Sequence, residues 1–278
     1  MSGYRTGSVR YLLAGRFQTM AWTEWGDPGA EPLVCVHGLT RNGRDFDALA
    51  QALSDRFRVI CPDLPGRGAS DWLADPMLYG PPAYVVALGH LAAMLDRPIS
   101  YVGTSLGGIC GMLLAAAPGQ PITRMVVNDI GPHIPREALA RIRDYIGKTP
   151  DFADMAALCH HLRVIHRPFG PLTDVQWDHL ASHSARTLPS GRLALHYDPA
   201  IAVPIEATDP HDADLWSFWD AITIPMLVLR GETSDLLLPD TAMRMAAKAA
   251  IAEVVDTGHA PAMMDAPTIA VVRDFLTG

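Results

Sequence analysis

Six short apolar runs punctuate this chain, most of them separated by segments with helical spacing. Leu33-Val34-Cys35-Val36, Arg58 to Cys61, Ile99 to Val102, Arg124 to Asp129, Ile224 to Leu229 and Ile251 to Val255 carry little polar alternation. Continuous apolar runs of that length are the pattern of strands covered on both faces. Between them, Asp45 to Leu53 places Phe46, Leu49, Ala50 and Leu53 on one helical face. Ala83 to Leu95 offers Val86, Leu88, Leu91 and Leu95, and Ile109 to Ala117 reaches helix length before Pro118 stops it. Helices are also expected over Pro239 to Ala249 and Pro267 to Leu276. Near the N-terminus, Val9 to Ala14 and Gln18 to Glu24 form a strand pair joined at Gly15-Arg16, before a turn at Gly26-Asp27-Pro28-Gly29.

Alternating strands and helices predict an α/β fold with a mostly parallel, doubly wound sheet of about eight strands and helices on both faces. From Gly131 to about Asp220 the pattern changes. Strand-like runs vanish, and helical stretches at Arg136–Ile146, Phe152–Ile165 and Asp174–Thr187 are rich in Arg, His and Asp. The expected division is therefore a core of residues 1–131 and 221–278, interrupted by a helical insertion, 132–220.

Composition narrows the function classes. Of 278 residues, 49% are hydrophobic and 19% charged, an ordinary globular balance. The formal net charge of −8 argues against a surface for nucleic acid or anionic lipid. Met1 to Arg10 lacks an apolar core of signal-peptide length, and no segment has the roughly 18 apolar residues of a membrane span. Cys35, Cys61, Cys110 and Cys159 have no metal-type spacing and read as buried thiols in a reducing cytoplasm.

In parallel sheets, reacting groups collect at the carboxyl ends of strands. His37, Asp63, Ser105, Asp129, Asp235 and His259 all follow an expected strand. Among them, Ser105 lies in Gly103-Thr104-Ser105-Leu106-Gly107, between a strand and a helix. A turn that tight needs residues without bulk and leaves the serine hydroxyl exposed at a helix N-terminus, as a nucleophile requires.

A nucleophilic serine needs a base, a group to orient the base, and donors for the oxyanion. His259, in Thr257-Gly258-His259-Ala260-Pro261 after the last strand, is the expected base. Asp235, in Gly231-Glu232-Thr233-Ser234-Asp235, is the favoured orienting acid, with Asp129 as the alternative. Oxyanion donors are expected from the backbone N–H groups of Leu106, at the helix N-terminus, and Leu39, in the loop after Val36.

These motifs resemble the α/β-hydrolase fold family across nearly the whole chain. They are Val36-His37-Gly38, Asp63-Leu64-Pro65-Gly66-Arg67-Gly68-Ala69-Ser70, Gly103-Thr104-Ser105-Leu106-Gly107-Gly108, Gly231-Glu232-Thr233-Ser234-Asp235 and Gly258-His259, with Ser, Asp and His in the family's order. The resemblance implies that the insertion is a helical cap that shapes the substrate pocket and excludes water. Serine at the elbow, rather than aspartate, disfavours the dehalogenases and epoxide hydrolases of this fold. The expected activity is that of a cofactor-free and metal-free carboxylesterase on a small-molecule acyl substrate, without nucleic-acid or membrane partners; oligomeric state is left open. A carbon–carbon bond hydrolase of ring-fission diketones, a lactonase or a perhydrolase are the enzymatic alternatives, and a ligand receptor of the same fold is the non-enzymatic one.

Other residues invite functional assignments beside plainer ones. His37 and Asp63 read first as loop-fixing groups, although His37 could also face substrate. Arg41, just past the oxyanion loop, could receive an anionic group or simply solvate a surface. Met263 and Trp219 could line the pocket or fill the core. His160, His161 and His166 have offsets that do not suit a metal site on one helix face.

Overall fold

The computed structural model describes residues 3–148 and 150–278. Its centre is an eight-stranded sheet: β1 (Arg5–Leu13), β2 (Arg16–Trp25), β3 (Glu31–Val36), β4 (Phe57–Pro62), β5 (Ile99–Thr104), β6 (Ile122–Asn128), β7 (Met226–Gly231) and β8 (Ala250–Val254). The spatial order is β1-β2-β4-β3-β5-β6-β7-β8. β1 and β2 form an antiparallel hairpin, β2 runs antiparallel to β4, and every later pairing is parallel.

Successive side chains of the parallel strands supply two separate cores, as the two-residue strand period demands. Leu33, Cys35, Val59, Cys61, Val102 and Val126 point to one face, where they meet helices α1 (Asp47–Leu53) and α9 (Ala266–Thr277). Val34, Val36, Ile60, Tyr101, Met125 and Val127 point to the other, under α2 (Pro81–Leu95) and α3 (Leu106–Ala115). Both faces are covered, which is why these runs carry no polar alternation. The four cysteines are free and buried. No helix among the described residues is long and apolar enough to cross a membrane.

Between β6 and β7 the chain forms α4 (Arg136–Tyr145), α5 (Met155–Ile165), α6 (Asp174–Ser184) and α7 (Trp216–Ala221), with α8 (Pro239–Met245) following β7. This stretch is less purely helical than its sequence indicates. α6 ends at Ser184, and Ala185–Thr187 instead pairs antiparallel with Leu193–Leu195. The cause is local: Pro189 and Gly191, the latter at φ +81°, turn the chain so that Leu188 N–H meets the Arg192 carbonyl at 2.8 Å. The segment docks on loops at the carboxyl ends of the strands. Gly68 N–H donates to His196 O, Asp198 N–H to Gly66 O, Gly258 N–H to Pro168 O and Ala262 N–H to Phe169 O, all within 2.7–3.2 Å. The side chain of Asn42 donates to His183 O at 2.8 Å, and the Tyr79 hydroxyl to Asp198 Oδ2 at 2.6 Å.

Candidate active site

Ser105 sits between β5 and α3 at φ 51° and ψ −114°, a backbone conformation that L-residues rarely hold. Its amide is tied to Asn128 O at 2.9 Å. The bend is possible because Gly107 has no side chain: a Cβ there would overlap the carbonyl of Val36 on the neighbouring strand. Strain is thus stored where the hydroxyl must project, and β3 and β6 on either side of β5 hold it in place.

The Ser105 hydroxyl donates to His259 Nε2 at 2.9 Å. His259 Nδ1–H donates in turn to Asp129 Oδ2, also at 2.9 Å. A carboxylate can only accept here, so the proton on Nδ1 leaves Nε2 free to take one from serine. His259 is brought to Ser105 by the loop after β8, in which Asp256, Ala260 and Met263 all have positive φ. Asn128 fixes that loop relative to Ser105: its amide donates to Pro261 O at 2.8 Å and to Thr104 Oγ1 at 3.1 Å.

The acid at the imidazole is therefore Asp129 and not Asp235. Asp129 follows β6 at φ 54° and is fully buried. Besides His259, it accepts from Gly231 N–H at 2.8 Å, the Ser234 hydroxyl at 2.6 Å and Ala260 N–H at 3.1 Å. Asp235 faces the other way, 57% exposed, and pairs with Arg141 at 2.9 Å. The end of β7 and the loop after it do reach this cluster of side chains. They bring a hydroxyl and an amide that hold Asp129, and the loop's own aspartate lies one residue too far along to turn inward.

His37 is buried and its ring is fully occupied by backbone. Leu64 N–H donates to Nε2 at 2.9 Å, and Nδ1–H donates to Gly38 O at 2.7 Å. Burial, reinforced by the positive charges of Arg67 and Arg41, lowers its pKa to about 3, so it stays neutral. It ties the loop after β3 to the loop after β4 and has no ring nitrogen left for substrate. Asp63 acts similarly, accepting from Gly43 N–H at 2.8 Å and Ala69 N–H at 2.9 Å.

Arg67, read from sequence only as part of a turn, holds that same region. Its guanidinium is wholly buried and donates to Leu39 O at 2.9 Å, Pro65 O at 2.6 Å and the Tyr84 hydroxyl at 2.8 Å. Among the described residues, the N–H groups of Leu39 and Leu106 donate to no protein acceptor. Both residues line a cavity of about 280 Å³ that opens on Ser105 and His259. The walls are largely apolar, with Ile109 and Ile130 from the core and Ile134, Leu139, Ile142 and Phe169 from the inserted segment.

Met263 and Arg41 line the cavity. Trp219 does not: it is 1% exposed and fills the larger core, contrary to a pocket role. His161 and His166 line a second cavity and hold no metal-like grouping with His160. Among the described residues, the one cluster with metal-ligand spacing is Asp47, His179 and His183, none of which lines the cavity at Ser105. Its carboxylate is already engaged by Arg44 through both oxygens.

Comparison with known proteins agrees with this architecture. Over 99% of its length the chain is 41% identical to 3-hydroxybutyrate-oligomer hydrolase of Cupriavidus necator, 98% of which is covered. It is 38% identical to a solved alpha/beta hydrolase from Novosphingobium aromaticivorans, with TM-score 0.88 and 99% of each chain aligned. A solved structure from Rickettsia typhi superposes at TM-score 0.91 with 30% identity, covering 99% of this chain and 98% of that one. Residues 33–274 match the model of the alpha/beta hydrolase family, and the protein belongs to that family.

Proposed function

We propose that this protein is a serine hydrolase of carboxylic esters, with short linear esters of hydroxy acids as its substrate class. The observation that carries the proposal is the unbroken hydrogen-bonded line Ser105–His259–Asp129 at the wall of a largely apolar cavity. The substrate class is supported by the likeness, over nearly the full length of both chains, to a hydrolase of 3-hydroxybutyrate oligomers.

In this scheme Ser105 Oγ attacks the ester carbonyl while His259 Nε2 accepts its proton. Asp129 holds the imidazole in the required tautomer and stabilises the imidazolium. The tetrahedral oxyanion lies against the free N–H groups of Leu106 and Leu39, the former at the positive end of α3. His259 then protonates the departing alkoxide, and later activates the water that opens the acyl-enzyme. The segment between β6 and β7 serves as a cap, because it supplies much of the apolar wall and narrows access by water.

The test is hydrolysis of a linear 3-hydroxybutyrate dimer and of p-nitrophenyl butyrate by the purified protein. Wild type should turn over both, and Ser105→Ala should lose at least roughly 10³-fold in kcat with an unchanged circular dichroism spectrum. Full activity in that variant would eliminate Ser105 as the nucleophile.

A further inference from the structure

The cavity at Ser105 adjoins a second one of about 500 Å³, and the two share Thr40, Arg41, Tyr145 and His166 as common walls. The second chamber is also largely apolar, with Leu162, Ile165 and Leu195 in its walls, but its charged groups are of one sign. Arg41 and Lys148 bring basic side chains, His161 and His166 add imidazoles, and no carboxylate lines it among the described residues. In a chain with a formal net charge of −8, such a local excess of positive charge marks a place for an anion.

Arg41 is built for that purpose. Its side chain is 5% exposed, and Asp45 fixes its orientation through Nε at 2.8 Å and Nη2 at 2.7 Å. Nη1 makes no hydrogen bond among the described residues. A guanidinium anchored on one edge, with a donor to spare at a cavity wall, is a pre-oriented receptor for a carboxylate. Asp45 cancels part of its charge, and Lys148, which also lines the chamber, adds charge back. His166 stacks on Phe169 with ring centroids 4.5 Å apart, which places a neutral polar ring between the two chambers.

We propose that the second chamber is a carboxylate subsite: a linear hydroxy-acid ester lies with its scissile bond at Ser105 and its free terminal carboxylate on Arg41 and Lys148. This rests on the ester-hydrolase assignment above. In such an ester the carboxylate belongs to the alcohol half, so the second chamber receives the leaving group. Attack by Ser105 breaks the bond between acyl carbon and alkoxide oxygen. The alkoxide takes the proton from His259 and departs as a free hydroxy acid, and one water then releases the acyl half. Cleavage accordingly proceeds from the carboxylate end of an oligomer, one unit per turnover.

The discriminating substrates are a linear 3-hydroxybutyrate dimer as the free acid and the same dimer as its methyl ester. In wild type the free acid should have at least a tenfold lower KM, and rising salt should erase that preference. Arg41→Gln and Lys148→Gln should each shrink the ratio of kcat/KM between free acid and methyl ester severalfold or more, and Arg41→Lys should recover part of it. Equal ratios in wild type and all variants would overturn the subsite while leaving the ester-hydrolase assignment standing. Should wild type hydrolyse neither compound, that assignment fails, and calorimetric titration of the free-acid dimer into the Ser105→Ala protein still decides the subsite. Tighter binding of the free acid than of the methyl ester, lost in Ser105→Ala/Lys148→Gln, supports it; equal binding refutes it.

Discussion

At the scale of single residues, the outcome hinges on which of two aspartates meets His259. Asp129 has four donors converging on its carboxylate and no exposure to water. Asp235 has a solvent-exposed ion pair, a kind of contact worth at most about 1 kcal/mol. Asp129→Asn should therefore reduce kcat by roughly four orders of magnitude, because the amide can present an N–H to Nδ1 and favour the wrong tautomer. Asp235→Asn should change kcat by less than about threefold and stability by less than about 1 kcal/mol. Steady-state kinetics on p-nitrophenyl butyrate and a urea melt would check both; a large loss in the Asp235 variant alone would reverse the assignment. The sequence made Ser105 and His259 legible because each is flanked by small or rigid residues that only a special loop requires. It put Asp235 ahead of Asp129, although each stands just past a strand, and the geometry at His259 reverses that order. Register decided between them: the loop after β7 bends so that Ser234 faces inward, and its neighbour then faces out.

At the scale of elements, the strands were readable because burial on both faces forces continuous apolar runs, and their ends located the chemistry. The inserted segment was readable as mainly helical, yet not in its docking. Part of its docking is by backbone hydrogen bonds, such as Asp198 N–H to Gly66 O, and these leave no mark on residue type. Arg67 illustrates the same limit. In sequence it is one letter in a glycine-rich turn; in the fold its three hydrogen bonds connect the loop after β3, its own turn and α2. The residue also bridges to Tyr197 in the inserted segment. Arg67→Met would leave the carbonyls of Leu39 and Pro65 without their buried donor. We expect a loss of about 3–5 kcal/mol in stability, measured by urea denaturation. A drop in kcat should accompany it under conditions where the variant is fully folded, since Leu39 is the proposed oxyanion donor. Wild-type stability in that variant would show that the turn holds itself without the guanidinium.

At the scale of the whole molecule, histidines held neutral by their surroundings govern how stability responds to acid. Burial, aided by Arg67 and Arg41, holds His37 down to about 3. Burial again, aided by Arg44 and His179, lowers His183 to about 4. Burial, with Arg41, His161 and His259 nearby, holds His166 well below its usual range. In the unfolded chain each imidazole titrates near 6.5. Between pH 6.5 and about 4 the unfolded state thus binds more protons than the folded one, so stability falls as pH falls through that window. Asp63 opposes this. Burial raises its carboxyl to about 6, so below that pH the folded state keeps a proton that the unfolded state holds only near 3.8. These imidazoles, joined by His161 and His196, which burial also lowers, outnumber the one carboxyl and leave a net uptake of protons on unfolding. Each net proton steepens the slope by about 1.4 kcal/mol per pH unit. The Tm should accordingly decline from pH 6.5 to pH 5, and His183→Asn, which removes one of the imidazoles, should make the decline shallower. A Tm that climbs on acidification across this range would mean that Asp63 outweighs the histidines and that their burial costs the fold little.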